Sequence, residues 1–300
     1  MKTLARLSWA AVAVAFGEVL LGSWTRINGA GMTCPDYPLC RGRLVPAFDG
    51  GVVWEWTHRF SALALSALVI SVIIIAFRRR GASARFVRPA AAVAGALFAL
   101  QIVLGAATVR LSNMPASVVW HWGTAMALIA SLAALAIFAA AEQPQQRNSN
   151  GAGITGVLAG TALVAFITMC IGAYVSSSGA GLACVTIPGC AGNVVVYSDG
   201  QFVQMLHRLA AAASLLAAVA AFALVWVKRS SARVRAWTTA GLVLVFSQVI
   251  LGLLNVAFRL PLDLREAHAA NAALIFLAFV CATTLAALDS APVRKPVRAT

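Results

Sequence analysis

The segment that decides the fold is residues 29–42, GAGMTCPDYPLCRG, because the chain contains it twice. The second copy, residues 179–192, reads GAGLACVTIPGCAG and keeps both cysteines, one proline between them and most of the glycines. Each copy is followed further along by a His-Arg dipeptide. A repeat separated by about half the chain length indicates two related structural halves.

Long apolar segments surround both copies. Of 300 residues, 61% are hydrophobic and only 11% are charged, and the mean hydropathy is +0.87. A soluble domain carries about a quarter charged residues, so this composition excludes a water-soluble globule. Apolar stretches of about 20 residues predict eight membrane-spanning helices, near Leu7–Thr25, Val53–Phe77, Pro89–Val109, Val118–Ala141, Ile154–Val175, Phe202–Val227, Ala236–Phe258 and Glu266–Leu288.

The net charge of +14 does not indicate nucleic-acid binding, because the basic residues fall in short gaps between apolar runs and form no stripe on one face. Fifteen of the 23 lysines and arginines lie in alternate gaps, which is typical of cytoplasmic loops. This bias predicts that both termini are cytoplasmic and that the long gaps Arg26–Val52 and Ser176–Gln201 face outward. The fifteen are Lys2, Arg6, Arg78, Arg79, Arg80, Arg85, Arg88, Arg147, Lys228, Arg229, Arg233, Arg235, Arg294, Lys295 and Arg298.

A polar linker, residues 142–153, divides the chain into predicted halves 1–145 and 151–300. Because each half has an even number of spans, both halves have the same orientation. We therefore predict an all-α integral membrane protein of two tandem four-helix bundles, related by a pseudo-twofold axis along the membrane normal. The two halves of an inverted-repeat transporter have opposite orientations, so this arrangement argues against that class of protein. The first span resembles a secretory signal, but we expect it to be retained, since its loss would remove one helix of the repeat.

The four histidines of the chain lie near the outer ends of the even-numbered helices. Polar residues at such depth are costly unless they are paired or functional. Two imidazoles that face each other across a four-helix bundle suit a haem iron between them. Zinc or copper is less well supported, because no two histidines are close in sequence. The predicted axial ligands are His58, His121, His207 and His268.

Arg59 and Arg208 directly follow two of these histidines. Either arginine suits a haem propionate, since a guanidinium matches carboxylate geometry. A snorkelling arginine at the membrane interface explains them equally well.

The cysteines in the repeated loops predict two disulfides, Cys34–Cys40 and Cys184–Cys190, because short outward loops with prolines bring cysteines close outside the cytoplasm. For the second pair a structural staple is the better interpretation. For the first pair, a staple and a redox-active couple that passes electrons to the site are equally supported.

The two halves differ in their ionisable groups, which indicates where chemistry occurs. Glu55 precedes His58 by three residues, on the same helix face, whereas Gln204 stands before His207. A carboxylate there can accept or deliver a proton, and we favour this catalytic role over one in orienting an imidazole. Glu18, deep in the first span, either bonds to a neighbouring helix or belongs to a proton route, and the sequence does not choose.

Together these motifs resemble the heme A synthase family over residues 17–287. The strongest matches are the segment GxxTRxNGAGxxCPDYPLCRG, residues 22–42, and EWTHR, residues 55–59, together with the register of all four histidines. QIVLG, residues 101–105, is a weaker match. The chain departs from the family's pattern in its second loop, which lacks the acidic residue, and at Tyr37, where the family more often has Trp.

The resemblance implies that the protein oxidises the C8 methyl group of heme O to a formyl group by successive hydroxylations, giving heme A for cytochrome oxidase. It implies substrate haem between His58 and His121, with Glu55 catalytic, and a haem b cofactor between His207 and His268. It also implies the bacterial cytoplasmic (inner) membrane as location, with the haem sites towards the outer face and lipid around the helices. Heme O synthase, cytochrome oxidase assembly proteins and an unidentified electron acceptor are the expected partners.

Two other functions use the same residues. A dihaem electron carrier or quinol oxidoreductase would keep the four histidines without modifying haem. A quinone-linked thiol oxidoreductase would use the loop cysteines and bind no haem.

Overall fold

The computed structural model describes residues 2–81, 83–141, 151–187, 189–190, 192 and 196–290. This part of the chain folds into eight long helices, α1 (Lys2–Ile27), α2 (Val52–Phe77), α3 (Ala84–Arg110), α4 (Pro115–Ala140), α5 (Gly151–Ser177), α6 (Asp199–Val227), α7 (Ala232–Ala257) and α8 (Leu262–Ser290), with a short 3-10 turn at Ala180–Leu182. The predicted basic residues Arg147, Arg294, Lys295 and Arg298 and most of the predicted linker lie outside the described residues.

All eight helices are long and apolar enough to cross a membrane, which confirms the predicted spans and the integral-membrane fold class. Most helices are longer than the apolar runs that predicted them. α3, for example, begins at Ala84, before Pro89, because a proline near a helix start removes only one backbone hydrogen bond. Arg85 and Arg88, predicted to lie in a gap, therefore belong to the first turns of α3.

The helices form two rings of four. α1 packs against α2 and α4, and α3 packs against the same two helices. α5, α6, α7 and α8 repeat this arrangement, and the rings meet where α4 contacts α5 and α8 and where α1 contacts α8. This packing is consistent with tandem bundles related by a pseudo-twofold axis, while the exact boundaries at 145 and 151 stay a prediction.

One hydrogen bond joins equivalent positions of the repeat. Arg26 Nη2 donates to Ser176 Oγ at 3.0 Å, and the two residues occupy matching positions at the ends of α1 and α5. Contact between equivalent residues is expected close to a twofold axis. It is therefore consistent with an axis that passes near the ends of α1 and α5.

α4 and α8 form the centre of the molecule. In the most apolar 18-residue stretch of each helix, 72% of α4 and 67% of α8 is buried, against 11–22% of α2, α3, α6 and α7. Alanine is frequent in both central helices, and small residues allow helices to approach closely in a membrane. The four peripheral helices expose large apolar side chains such as Leu63 and Leu216, as a lipid-facing surface requires.

Tight turns join α3 to α4 and α7 to α8 in the same way. Ser112 and Asn113 have positive φ angles of 51° and 57°, and the equivalent Arg259 and Leu260 have 60° and 63°. Such angles are uncommon for residues other than glycine, so their recurrence marks a shared turn geometry. In the first half the Asn113 amide also donates to the Gly31 carbonyl at 3.1 Å, which ties this turn to the first cysteine loop.

Candidate active site

The four predicted ligands lie at one end of the helices, the loop face, which we define by the long loops 28–51 and 178–198. His58, His121 and His268 are each six residues after the first residue of their helix, and His207 is eight. The topology therefore brings all four histidines to matching depth below the loop face.

Each histidine packs against a glycine of the preceding helix. A Cβ atom added at Gly22 would lie 2.8 Å from Cε1 of His58, and one added at Gly172 would lie 2.9 Å from Cε1 of His207. Gly105 and Gly252 approach His121 and His268 in the same way, at 3.2 and 3.3 Å. A Cβ atom at Gly22 or Gly172 would force the imidazole to shift, and one at Gly105 or Gly252 would require the ring to move by a few tenths of an ångström.

A polar residue stands one helical turn before each of these glycines. Gln101 Nε2 lies 3.4 Å from His121 Nε2, and Gln248 Nε2 donates to the His268 carbonyl at 3.0 Å. The other two positions are Glu18 and Thr168. Every histidine therefore meets a helix segment with the same pattern, a polar residue followed four residues later by glycine.

The arrangement of the rings fits a haem. The ring centroids of His207 and His268 are 6.4 Å apart. Two imidazoles on one iron, each with a metal–nitrogen bond of about 2 Å, would place their centroids roughly 6 Å apart. The glycine contacts and this separation are both compatible with bis-histidine ligation.

The glycine contacts lead to a paired prediction. Gly172→Ala should displace the His207 ring and lower the haem content of the purified protein, because overpacking costs about 1–3 kcal/mol, or roughly tenfold to a hundredfold in binding. Gly160→Ala on the same helix is the control, since a Cβ there meets nothing within 4 Å. Haem per protein, measured by pyridine haemochrome, checks it; equal haem content in the two variants would contradict it.

Glu55 anchors the first cysteine loop. Its side chain is buried, and Oε2 accepts hydrogen bonds from the Cys34 amide at 2.8 Å and from Thr33 Oγ1 at 3.0 Å. Oε1 lies 2.7 Å from Nη2 of Arg59. Glu55 thus contacts the loop and Arg59, and its role in proton transfer stays a prediction.

Gln204 anchors the second cysteine loop in a corresponding way. Its Oε1 accepts from the Cys184 amide at 2.5 Å, and its Nε2 donates to the Gly181 carbonyl at 2.8 Å. An amide and a carboxylate therefore hold the first cysteine of their loops in the same way. The charge of Glu55 is consequently not needed to form such a loop.

Arg59 and Arg208 hold the same loops from below. Each guanidinium donates to three backbone carbonyls at equivalent positions, those of Cys34, Asp36 and Leu39 for Arg59 and those of Cys184, Thr186 and Gly189 for Arg208. These contacts are directed at the loops. The predicted contact with haem propionates stays a prediction for both arginines.

Both predicted cysteine pairs are disulfide-bonded, with Cα atoms 4.5 Å apart in each. All four cysteines are buried, and Cys34 and Cys40 have exposed fractions of 0% and 2%. A redox-active couple would need an accessible disulfide. In this conformation the structure therefore favours a staple for Cys34–Cys40 as well.

The acidic residue of the first loop closes its turn. Asp36 accepts hydrogen bonds from the amides of Arg41 and Gly42 at 2.6 and 2.7 Å. The Gly42 amide is the main cause that lowers the pKa of Asp36, and the Arg41 amide adds to it. In the second loop Thr186 Oγ1 accepts from Gly192 in its place. Asp36 thus acts within the loop structure.

The carboxylate that reaches a predicted ligand is Glu18. Its Oε1 lies 2.7 Å from Nδ1 of His58, and its Oε2 accepts a hydrogen bond from Ser61 Oγ. Sequence spacing pointed to Glu55 for contact with this histidine, and left Glu18 open between a bond to a neighbouring helix and a place in a proton route. One sequence feature could have indicated this contact. Glu18 stands four residues before Gly22, just as Gln101 stands four residues before Gly105.

The chain also matches a family of known proteins. Residues 5–280 match the model of the COX15-CtaA family, described as cytochrome oxidase assembly protein. The chain belongs to this family. Because the match spans nearly all of the eight helices, COX15-CtaA membership covers both halves and both cysteine loops.

Three proteins with curated names are similar to the chain over most of their length. The chain is 31% identical to the heme A synthase of Symbiobacterium thermophilum, over 76% of each chain. It is 29% identical to the heme A synthase of Bacillus licheniformis, over 83% of this chain and 84% of that one, and 28% identical to that of Shewanella oneidensis, over 87% and 90%.

Proposed function

We propose that the protein is a heme A synthase, which oxidises the C8 methyl group of heme O to a formyl group and supplies heme A for cytochrome oxidase. The observation that carries this proposal is the set of four histidines, each seated on a glycine at matching depth in a chain of the COX15-CtaA family. The curated relatives carry this name, and the chain is similar to them over most of their length.

In this proposal the two halves have different tasks. His58 and His121 hold heme O as substrate, and His207 and His268 hold a haem b cofactor. The ionisable groups support this division, since Glu18 and Glu55 lie beside the first site, whereas Thr168 and Gln204 occupy the equivalent positions of the second. The bound haem b supplies one-electron redox chemistry.

The residues of the chain orient the substrate and handle its protons. The glycines Gly22 and Gly105 fix the two rings that hold heme O. Glu55 is the proposed catalytic carboxylate that takes a proton as the methyl group is oxidised. The disulfide loop lies directly above, anchored by Glu55 and Arg59, where it covers this end of the bundle.

The location follows from charge and family. We propose the bacterial cytoplasmic membrane, with both termini cytoplasmic and the loop face outward, because the basic residues 78–80 and 228–229 follow the opposite ends of α2 and α6. With water as the source of the formyl oxygen, oxidation of the methyl group releases electrons and protons, so an electron acceptor is a proposed partner. Heme O synthase and cytochrome oxidase assembly proteins are the proposed partners for haem transfer.

Pigment analysis tests the function. The protein is expressed in cells that supply heme O, and its haems are extracted and separated. Heme A or its hydroxymethyl intermediate is the expected product. Haem b alone would overturn the proposal in favour of a dihaem electron carrier, and the absence of haem would favour a thiol oxidoreductase.

A further inference from the structure

One histidine of the four has a carboxylate partner. Glu18 Oε1 lies 2.7 Å from Nδ1 of His58, and the side chain of Glu18 is only 11% exposed. Ser61 Oγ donates to the second oxygen, Oε2, whereas Oε1 and Nδ1 of His58 lie in contact without the geometry of a hydrogen bond. The carboxylate is thereby held against the imidazole from the neighbouring helix.

The second half lacks both members of this pair. Thr168 occupies the position of Glu18, and Ala210 that of Ser61. Thr168 Oγ1 donates to backbone carbonyls of Val164 and Ala210, at 2.8 and 3.1 Å, and bonds to Ser214 Oγ. The repeat therefore contains its own control, a site of similar shape without the carboxylate.

A carboxylate on Nδ1 changes what an imidazole offers to a metal. Its negative charge favours the tautomer with the proton on Nδ1, which leaves Nε2 as the donor nitrogen. It also raises the basicity of the ligand, which stabilises the oxidised metal relative to the reduced one. The neutral hydroxyl of Thr168, which bonds to Val164, Ala210 and Ser214, supplies no such charge to His207.

We propose that Glu18 is a positioning residue that makes His58 a stronger donor than His207 and so lowers the reduction potential of the first-half haem. This inference rests on the proposed function only in taking His58 as a haem ligand. It assigns Glu18 a task that is separate from that of Glu55, which bonds to the cysteine loop.

The test is a redox titration of the purified, haem-loaded protein. The first-half haem is assigned as the optical wave that His121→Ala removes. Glu18→Gln should shift this wave to a more positive potential, by about tenfold in the reduction equilibrium or roughly 59 mV for one electron. Ser61→Ala removes a donor from the carboxylate, leaves more negative charge on His58, and should shift the same wave in the opposite direction.

Opposite signs separate the proposal from a packing effect, since loosened packing has no reason to move the two variants apart. Thr168→Val is the matched control and should leave the second wave in place. An unchanged first wave in Glu18→Gln overturns the proposal. If Glu18→Gln does not retain the haem, Ser61→Ala is the deciding variant. A first wave that stays in place or moves to a more positive potential in Ser61→Ala overturns the proposal.

The titration requires no turnover, so its outcome is independent of the product. Heme A in the wild-type extract together with unmoved potentials would reject the role of Glu18 and leave the proposed function intact. Opposite shifts in the two variants, with no heme A in the wild-type extract, would support the role of Glu18 and reject the proposed function.

Discussion

Replacement of His58 or His121 by alanine is expected to abolish heme A formation while the haem of the second half remains bound. Replacement of His207 or His268 should instead remove the stable haem b. The physical reason is that each ring is fixed by its own glycine on the preceding helix, within its own four-helix ring, so loss of one ligand leaves the other site intact.

Two measurements on each variant check this prediction, the pigments extracted after heme O supply and the haem-to-protein ratio. The alanine variants of the two halves serve as controls for one another, because they create cavities of similar size at equivalent depth. Heme A formation by His58→Ala, or loss of both haems in every variant, would contradict the assignment of separate tasks to the halves.

Glu55→Gln is expected to keep the fold and both haems while heme A formation falls by about a hundredfold or more, the usual range for losing a general acid or base. The variant should fold because Gln204 holds the Cys184 amide in the second half. Arg59 would retain three backbone carbonyls as partners, the same set that Arg208 has beside Gln204. A loss of product would then report the missing carboxylate.

Glu55→Leu should behave differently. It leaves the buried Cys34 amide without an acceptor and removes the charged partner of the Arg59 guanidinium, and breaking a buried ion pair in this way costs about 3–5 kcal/mol. We expect reduced expression and haem content, measured after solubilisation. Gln204→Glu is the reciprocal control and should retain both haems. Full turnover by Glu55→Gln would leave Glu55 as a loop anchor only and would reject the catalytic role.

The two carboxylates of the first half thus separate into different tasks that distinct measurements report. Glu18 contacts a predicted ligand and should alter a potential. Glu55 bonds to a loop amide and should alter turnover. The second half, with Thr168 and Gln204, shows that the bundle and the loop form without either charge.

The sequence alone determined the eight spans, the duplication and the register of the histidines. These features depend on the length of apolar runs, on the position of charges and on spacing along the chain. Helix boundaries were less accurate. α3, for example, begins at Ala84 because it includes a polar first turn and continues through Pro89, so it is longer than its apolar run. The paired cysteines were also predictable, since a short loop leaves few other partners.

Only the tertiary structure decided which side chain meets which ring. Spacing placed Glu55 on the same face as His58, but Glu55 lies in the first turn of α2, where its carboxylate reaches the loop amides. Glu18 is distant in sequence and reaches His58 because Gly22 lets α1 approach the imidazole closely. Contacts between helices depend on their packing and on the directions of side chains, which periodicity within a single helix does not specify.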